Sequence, residues 1–295
     1  EDTGRFTVGP RPREAYSREM ITVVAEIGQN HNGTLSLALD MCIAARDAGA
    51  DVAKFQKRTP ALAVPKAQQG VPKDTPWGRM TYLEYREHLE FGVPEYDEID
   101  LYCKWLGIPW TVSVWDEPSF EPTHLQSPHL PFYKIPSACL TDDSLLEMVA
   151  SAEVPVVLST GMSTLDEVRH AVDILGSHGL VLCHCNSTYP CPKEDLNLKV
   201  ITSLAELFPD SIIGYSGHEV GLATTVAAVA LGAQYVERHI TLDRSMWGTD
   251  QSASVEPQGF SRLVDDIRAV EAALGDGVKR VTDGELEAMK KLRRK

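Results

Sequence analysis

The sequence predicts an α/β protein of the (β/α)8 TIM-barrel class, and three observations carry this. From residue 21 onward, short runs rich in Val and Ile alternate with helical patterns, as the βα units of a parallel sheet do. Eight such units fit the chain, and a closed barrel of eight needs roughly 250 residues. Helices stop at glycine, with Gly49, Gly107, Gly232 and Gly275 standing where a left-handed residue ends a last turn. An open, doubly wound sheet is the second architecture this alternation allows.

The strands fall at 21–28, 51–56, 108–115, 130–137, 154–160, 180–187, 211–218 and 233–241. Helices fall at 36–48, 96–106, 144–152, 164–175, 198–208, 222–231 and 260–274. Residues 1–20 mix Arg, Glu, Pro and Gly without period and read as a leader or cap, trimmed because no initiator Met precedes them. The catalytic barrel is then 21–280, and 281–295 is a C-terminal tail or linker remnant. Two stretches break the even spacing. Residues 57–94 carry Pro60, Pro65, Pro72, Pro76 and Pro94 with little period, and 243–257 form a polar loop after the last strand. Loops this long are uncommon unless functional, and both follow strands, which puts them on the face where barrel enzymes keep their active sites. The turn from Gly28 to Gly33 is too polar for a mere connector and lacks the GxGxxG spacing of a dinucleotide site.

Charge and composition exclude several functions. A net charge of −14 repels nucleic acid and anionic membranes. No apolar run approaches the roughly 20 residues of a spanning helix, and no signal-peptide core stands at the start, so a soluble, cytoplasmic protein is expected. The six cysteines are scattered and read as reduced thiols. Cys183, His184, Cys185 and Cys191 do not have the spacing of a standard zinc knuckle.

The chemistry is read from the strand ends. Strands of a parallel barrel are buried on both faces, yet here they acquire polar residues near their C-terminal ends: Glu26; Lys54 and Gln56; Thr111 and Ser113; Lys134 and Ser137; Ser159 and Thr160; Asn186 and Ser187; Ser216 and His218; Glu237 and His239. Residues two apart on a strand share a face, so His218 and His239, on neighbouring strands, can meet at the rim. Two neutral imidazoles with acids nearby suit a divalent metal with open positions, and a hydrogen-bonded His pair without metal is the alternative. Lys54 and Lys134 suit capture of a phosphate or carboxylate, with Ser159, Gly161 and Ser187 adding groups of the kind that hold phosphate oxygens.

These residues fall in motifs that resemble one family. AEIGQNHNG (25–33), KFQ (54–56), YKIPS (133–137), LSTGMST (158–164), HCNSTYP (184–190), IGYSGHE (213–219) and ERHITLDRSMWGTD (237–250) are similar, in order, to the sialic acid synthases, which condense phosphoenolpyruvate with an amino sugar. The resemblance implies a (β/α)8 barrel and a divalent metal, Mn2+ or Mg2+, on His218 and His239. It implies that Glu26, Lys54, Lys134, Ser137, Ser159, Ser187 and Ser216 surround phosphoenolpyruvate, and that Gln56, Tyr189 and Asp250 meet the acceptor sugar. Thr111, Ser113 and Asn186 are further candidates for binding, and a homodimer is expected. This chain departs from the family at Cys139, where an acid is common, and in 76–91, where the family's Asn has no match. Most members continue into a small antifreeze-like domain that sends an Arg into the partner's site, whereas these residues stop at Lys295. Acceptor recognition is then expected from 57–94 and 243–257, through Trp77, Arg79, Tyr82, Tyr85 and Arg86. A synthase for another or phosphorylated aldose, with Arg58, Arg79 and Arg86 as candidate phosphate groups, and a non-catalytic sugar-phosphate binder are the competing readings.

Overall fold

The computed structural model describes residues 20–126, 130–152 and 154–294. The expected leader at 1–20 lies, but for Met20, outside the described residues. The strands are β1 (Thr22–Gly28), β2 (Val52–Lys57), β3 (Pro72–Thr75), β4 (Gly78–Thr81), β5 (Trp110–Val114), β6 (Tyr133–Ile135), β7 (Val156–Ser159), β8 (Leu180–Cys185), β9 (Ile212–Gly217) and β10 (Tyr235–His239). All but β3 and β4 close into one parallel barrel in chain order, β10 pairing back onto β1. Each of the eight expected strands is present. The fourth is the shortest, because Pro131 and Pro136 flank it and neither can donate to a ladder.

The helices are α1 (Leu35–Asp47), α2 (Pro60–Ala63), α3 (Lys66–Gln69), α4 (Tyr82–Leu89), α5 (Val93–Leu106), α6 (Glu117–Gln126), α7 (Asp143–Ser151), α8 (Leu165–Leu175), α9 (Val200–Leu207), α10 (Ala223–Ala230), α11 (Pro257–Leu274) and α12 (Asp283–Leu292). Three features were not foreseen in sequence. The stretch 57–94 is ordered rather than a plain loop: β3 and β4 form an antiparallel hairpin, and α4 follows at once. Its start is fixed by a capping box in which Thr81 accepts from the Glu84 N–H and the Glu84 carboxylate accepts from the Thr81 N–H. Helix α6 fills the β5–β6 crossover, and α12 follows the barrel.

Strand parity layers the barrel interior. At the N-terminal end the inward side chains Val24, Val52, Phe132, Val157, Val181 and Tyr235 make an apolar plug. One pleat higher the inward positions become Glu26, Lys54, Lys134 and Glu237, and the rim follows. Outward side chains such as Ile27, Phe55, Val112, Leu158 and Val236 join the larger core beneath the helices. Burial of this apolar area, at about 25 cal/mol per Å2, holds the charged layer at a fixed height.

Two outward strand residues are charged, Lys57 at the end of β2 and Arg238 in β10. Arg238 is 1% exposed and donates to the Glu219 carboxylate at 3.2 Å, to the Gly221 carbonyl at 2.9 Å and to Thr225 Oγ1 at 2.8 Å, tying the β9–α10 loop to β10. Arg238→Met is expected to cost about 3–5 kcal/mol of stability in urea denaturation, because Glu219 is left a buried charge without its cation. A loss below about 1 kcal/mol would mean that the hydroxyls of Tyr215, Thr224 and Thr225 suffice for Glu219.

Candidate active site

The charged layer is a connected set. Lys54 Nζ is ion-paired with Glu26 and lies 3.8 Å from Glu237, and Lys134 Nζ meets Glu237 Oε1 at 2.7 Å. Ser216 and Tyr235 donate to Glu237 at 2.8 and 2.7 Å, and the Gln56 amide donates to Glu26 at 2.7 Å. All four ionic groups are buried, with charges that balance. Burial pushes the Glu237 pKa up, but Lys134 and Lys54 outweigh it and hold this carboxyl well below the usual range. Glu26 ends on the other side: burial raises its pKa, with Lys54 only partly opposing.

Above the layer lies a cavity of about 180 Å3 at the C-terminal end of the barrel. Of the residues singled out in sequence, Glu26, Lys54, Gln56, Ser113, Lys134, Ser137, Ser159, Ser187, Tyr189, Ser216, His218 and His239 line it. Three do not. Thr111 sits one pleat below Ser113 and gives its hydroxyl to the Phe132 carbonyl. Asn186 points its side chain at the Asp195 carbonyl and the Thr188 N–H, although its own carbonyl serves the site. Asp250 stands on the loop after β10 and accepts from Thr249. Glu237, grouped in sequence with the strand-end polar residues but given no part in binding or catalysis, lines the cavity too, as does Trp115, which sequence reasoning passed over. Parity had already set Glu237 on the same face as His239.

One wall is a cluster of hydroxyls around Gly161, whose N–H donates to Ser137 Oγ at 3.0 Å. A Cβ at this position would crowd Ser187 Oγ, Ser137 Oγ and Cys185 Sγ, so glycine lets these side chains keep their places.

The opposite wall holds the imidazoles, with ring centres 5.7 Å apart. His218 Nδ1 is 2.7 Å from the Asn186 carbonyl, which can only accept, so this nitrogen carries the proton. Its Nε2 then presents a lone pair, and the Tyr189 hydroxyl donates to it at 2.7 Å. His239 Nδ1 is buried with no hydrogen-bond partner among the described residues. Burial, and the His239 ring beside it, push His218 down to about 3, and burial likewise lowers His239, so both rings are neutral. A divalent ion fits these donors: one ring is fixed by its other nitrogen on a carbonyl, as metal-binding imidazoles are, and the second has an orphaned nitrogen. Among the described residues no group of three or more His, Cys, Asp or Glu converges as a closed metal cage. An ion here would keep open positions.

Fold and site together define a (β/α)8-barrel enzyme with its chemistry at the C-terminal face. The chain belongs to the NeuB family, whose model matches residues 41–279. It is 41% identical over 274 residues to N-acetylneuraminate-9-phosphate synthase of Homo sapiens, covering 92% of this chain and 76% of that one. It is 35% identical over 270 residues to N,N'-diacetyllegionaminic acid synthase of Campylobacter jejuni, covering 89% and 80%. Among solved structures, the N-acetylneuraminic acid synthetase of Leptospira borgpetersenii superposes with a TM-score of 0.83 at 30% identity, covering 95% of this chain and 94% of that one.

The polar turn after β1 explains how the rim is held. Asn30 donates to the Ile240 carbonyl and to Ser254 Oγ, both at 2.8 Å, and Asn32 donates to the Trp247 carbonyl at 2.9 Å. Gln251 donates back to the Asn30 carbonyl at 3.1 Å. His31 stacks on Phe91 with centres 4.1 Å apart and accepts from the Gly33 N–H at 3.1 Å. The turn thus braces both long segments. Trp247 joins them directly, edge-on to Trp77 and to buried Tyr85.

Burial, aided by Arg58, pushes His31 down to about 3, against about 6.5 in an unfolded chain. Between these values the unfolded chain binds a proton that the folded chain refuses, so this contribution is full above about pH 6.5 and is lost as pH falls toward 3. His31→Gln is therefore expected to flatten the dependence of stability on pH between about pH 6 and pH 4 by about 1.4 kcal/mol per pH unit. Urea unfolding at both pH values measures it; parallel slopes for variant and wild type would refute it.

Proposed function

We propose that this chain condenses phosphoenolpyruvate with an aldose of the N-acetylmannosamine type, giving a 3-deoxy-2-keto acid of the nonulosonic class and phosphate. The observation that carries the reading is the convergence of Lys54, Lys134, His218 and His239 with a row of serine hydroxyls on one cavity. The names of the relatives support the same substrate classes. The cytoplasmic setting and the homodimer expected from the resemblance belong to this proposal, to which the structure adds only that no described helix is long and apolar enough to cross a membrane.

The residues act as follows. The methylene carbon of phosphoenolpyruvate forms a bond to the aldehyde carbon, and the aldehyde oxygen takes up a proton. Water then adds at the carbon bearing phosphate, and the C–O bond to phosphate breaks. Lys134 and Lys54 offset the carboxylate and phosphate of the substrate in a dry wall where such interactions are strong. Ser137, Ser159 and Ser187, with Gly161 between them, offer hydroxyls to its oxygens. Glu26, with its raised pKa, is the acid–base group of the wall, whereas Glu237 stays ionised and holds both lysines in place. Gln56, Tyr189 and Asp250 are assigned to the acceptor side. His218 and His239 would hold a divalent ion, Mn2+ or Mg2+. When bound, the ion supplies a Lewis acid for the aldehyde oxygen.

Phosphate release and product mass, followed with phosphoenolpyruvate, Mn2+ and a panel of aldoses and aldose phosphates, test the reaction. Release dependent on both substrates is expected; none with any aldose would overturn the assignment. His218→Ala and His239→Ala should each weaken Mn2+ binding in equilibrium dialysis by about 10-fold or more and abolish condensation. Unchanged Mn2+ affinity in both variants would remove the imidazoles from the metal site. Gly161→Ala should weaken phosphoenolpyruvate binding in titration calorimetry by about 10-fold, since about 1–3 kcal/mol of overpacking falls on Ser137 and Ser187. Wild-type affinity there would move the phosphate elsewhere.

A further inference from the structure

We propose that Arg58 is a positioning residue for the catalytic wall and acts on Glu26 through Gln56. The inference rests on the condensation assigned above. Lys54, Gln56 and Arg58 alternate along β2 and its end, so they share one face. Arg58 is buried and, unlike Lys54 and Gln56, is not among the residues that line the cavity. Its reach is through neighbours. The guanidinium donates through Nη2 to Gln56 Oε1, and the Gln56 amide nitrogen donates to Glu26 Oε1 at 2.7 Å. A primary amide has one accepting end and one donating end, so a donor fixed at its oxygen dictates that the NH2 faces Glu26. Without Arg58 the amide can turn, setting its oxygen against the carboxylate.

Arg58 is itself held on three sides. Its guanidinium lies 4.1 Å over the Trp115 ring, which lines the cavity. Its Nε is 3.1 Å from Glu90 Oε1, and its backbone N–H donates to Glu90 Oε2 at 3.1 Å. Lys57 Nζ, on the other face of the strand, is 3.6 Å from the same carboxylate. Glu90 caps the C-terminal end of α4, so the ordered segment between β2 and α5 bears on Glu26 through Glu90, Arg58 and Gln56. The planar fork and flat stacking face are what arginine has and lysine lacks.

The test is a double-mutant cycle on kcat, with phosphoenolpyruvate and the best acceptor, over Arg58→Met, Gln56→Ala and the pair. Each single variant should lower kcat by about 10-fold or more, with KM for phosphoenolpyruvate changed by less than about 3-fold. The pair should fall no more than about 2-fold below the weaker single variant, because both substitutions cut one connection. Arg58→Lys keeps the charge beside Glu90 and stands in for Arg58→Met if that variant does not fold; the same non-additivity is expected. Multiplicative effects, or an Arg58 variant with wild-type kcat, would overturn the inference. A second readout separates it from the reaction: the side-chain amide resonance of Gln56 in 15N-glutamine-labelled protein, identified by its loss in Gln56→Ala, should shift in the Arg58 variant. If wild type is inactive on every aldose and the amide still shifts, the reaction is wrong and the connection stands; an unmoved amide overturns the connection.

Discussion

Two lysines and two carboxylates buried side by side inside the barrel are the constraint on which the rest of the structure depends. Moving such groups out of water costs several kcal/mol each, and their attraction offsets this only where geometry is good and spare lone pairs are filled. Both conditions are met by parity. β1, β2, β6 and β10 each turn one ionic residue inward at the same height, and Ser216, Tyr235 and Gln56 satisfy carboxylate oxygens that the lysines leave open. A slip of one residue in any of these strands would send its charge into the outer core and an apolar side chain into the site. The layer therefore specifies register, whatever chemistry it carries.

The apolar plug closes the charged layer below, and the rim stands above it. No single strand could hold the rim, since its pieces come from 57–94, from 186–190 and from 243–257. The turn after β1 solves this with short side chains: Asn30 and Asn32 hold the β10 loop, while His31 lies against Phe91 at the end of the α4 segment. The last two segments then meet over Trp247, with Trp77 41% exposed at the outer edge of that joint. Aromatic residues expected in sequence to grip a sugar are in this way first occupied with one another.

How much of this was legible in the sequence follows from what repeats. The barrel was legible because βα alternation and glycine stops recur in unit after unit, and its closure followed from their number. The strand-end residues were legible because charge in a doubly buried strand needs a reason, and most of them line one cavity. Where the geometry departs from the expected grouping, it does so for definite causes. Parity gives a face but not a height, so Thr111 was grouped with Ser113 although it lies a pleat lower. Asn186 follows Cys185 by one residue and falls on the outer face, which parity applied consistently would have shown. Asp250 is on a loop, where no period exists. The β3–β4 hairpin and α4 hid behind prolines and lack of period, although Thr81 and Glu84 already spelled a capping box. The pairing of Glu237 with both lysines joins residues more than 100 apart, which no local pattern reports.

The division between strand-borne and loop-borne groups bears on how such a site can change its substrate. Glu26, Lys54, Lys134 and Glu237 neutralise one another, so replacing any of them strands a partner in low dielectric, and the cost falls on folding as well as on chemistry. The rim is different. Tyr189 is 44% exposed and Trp77 nearly as much, and substitutions at such positions leave no buried charge unpaired. On the proposed assignment, an acceptor with another ring substituent can be accommodated there while the inner wall stays as it is. Arg58 and Glu90 stand where the two regimes join: they are buried like the wall, yet they hang from the loop side. A change in the 57–94 segment that moves Glu90 is transmitted inward, whereas one confined to the hairpin tip ends at the aromatic joint.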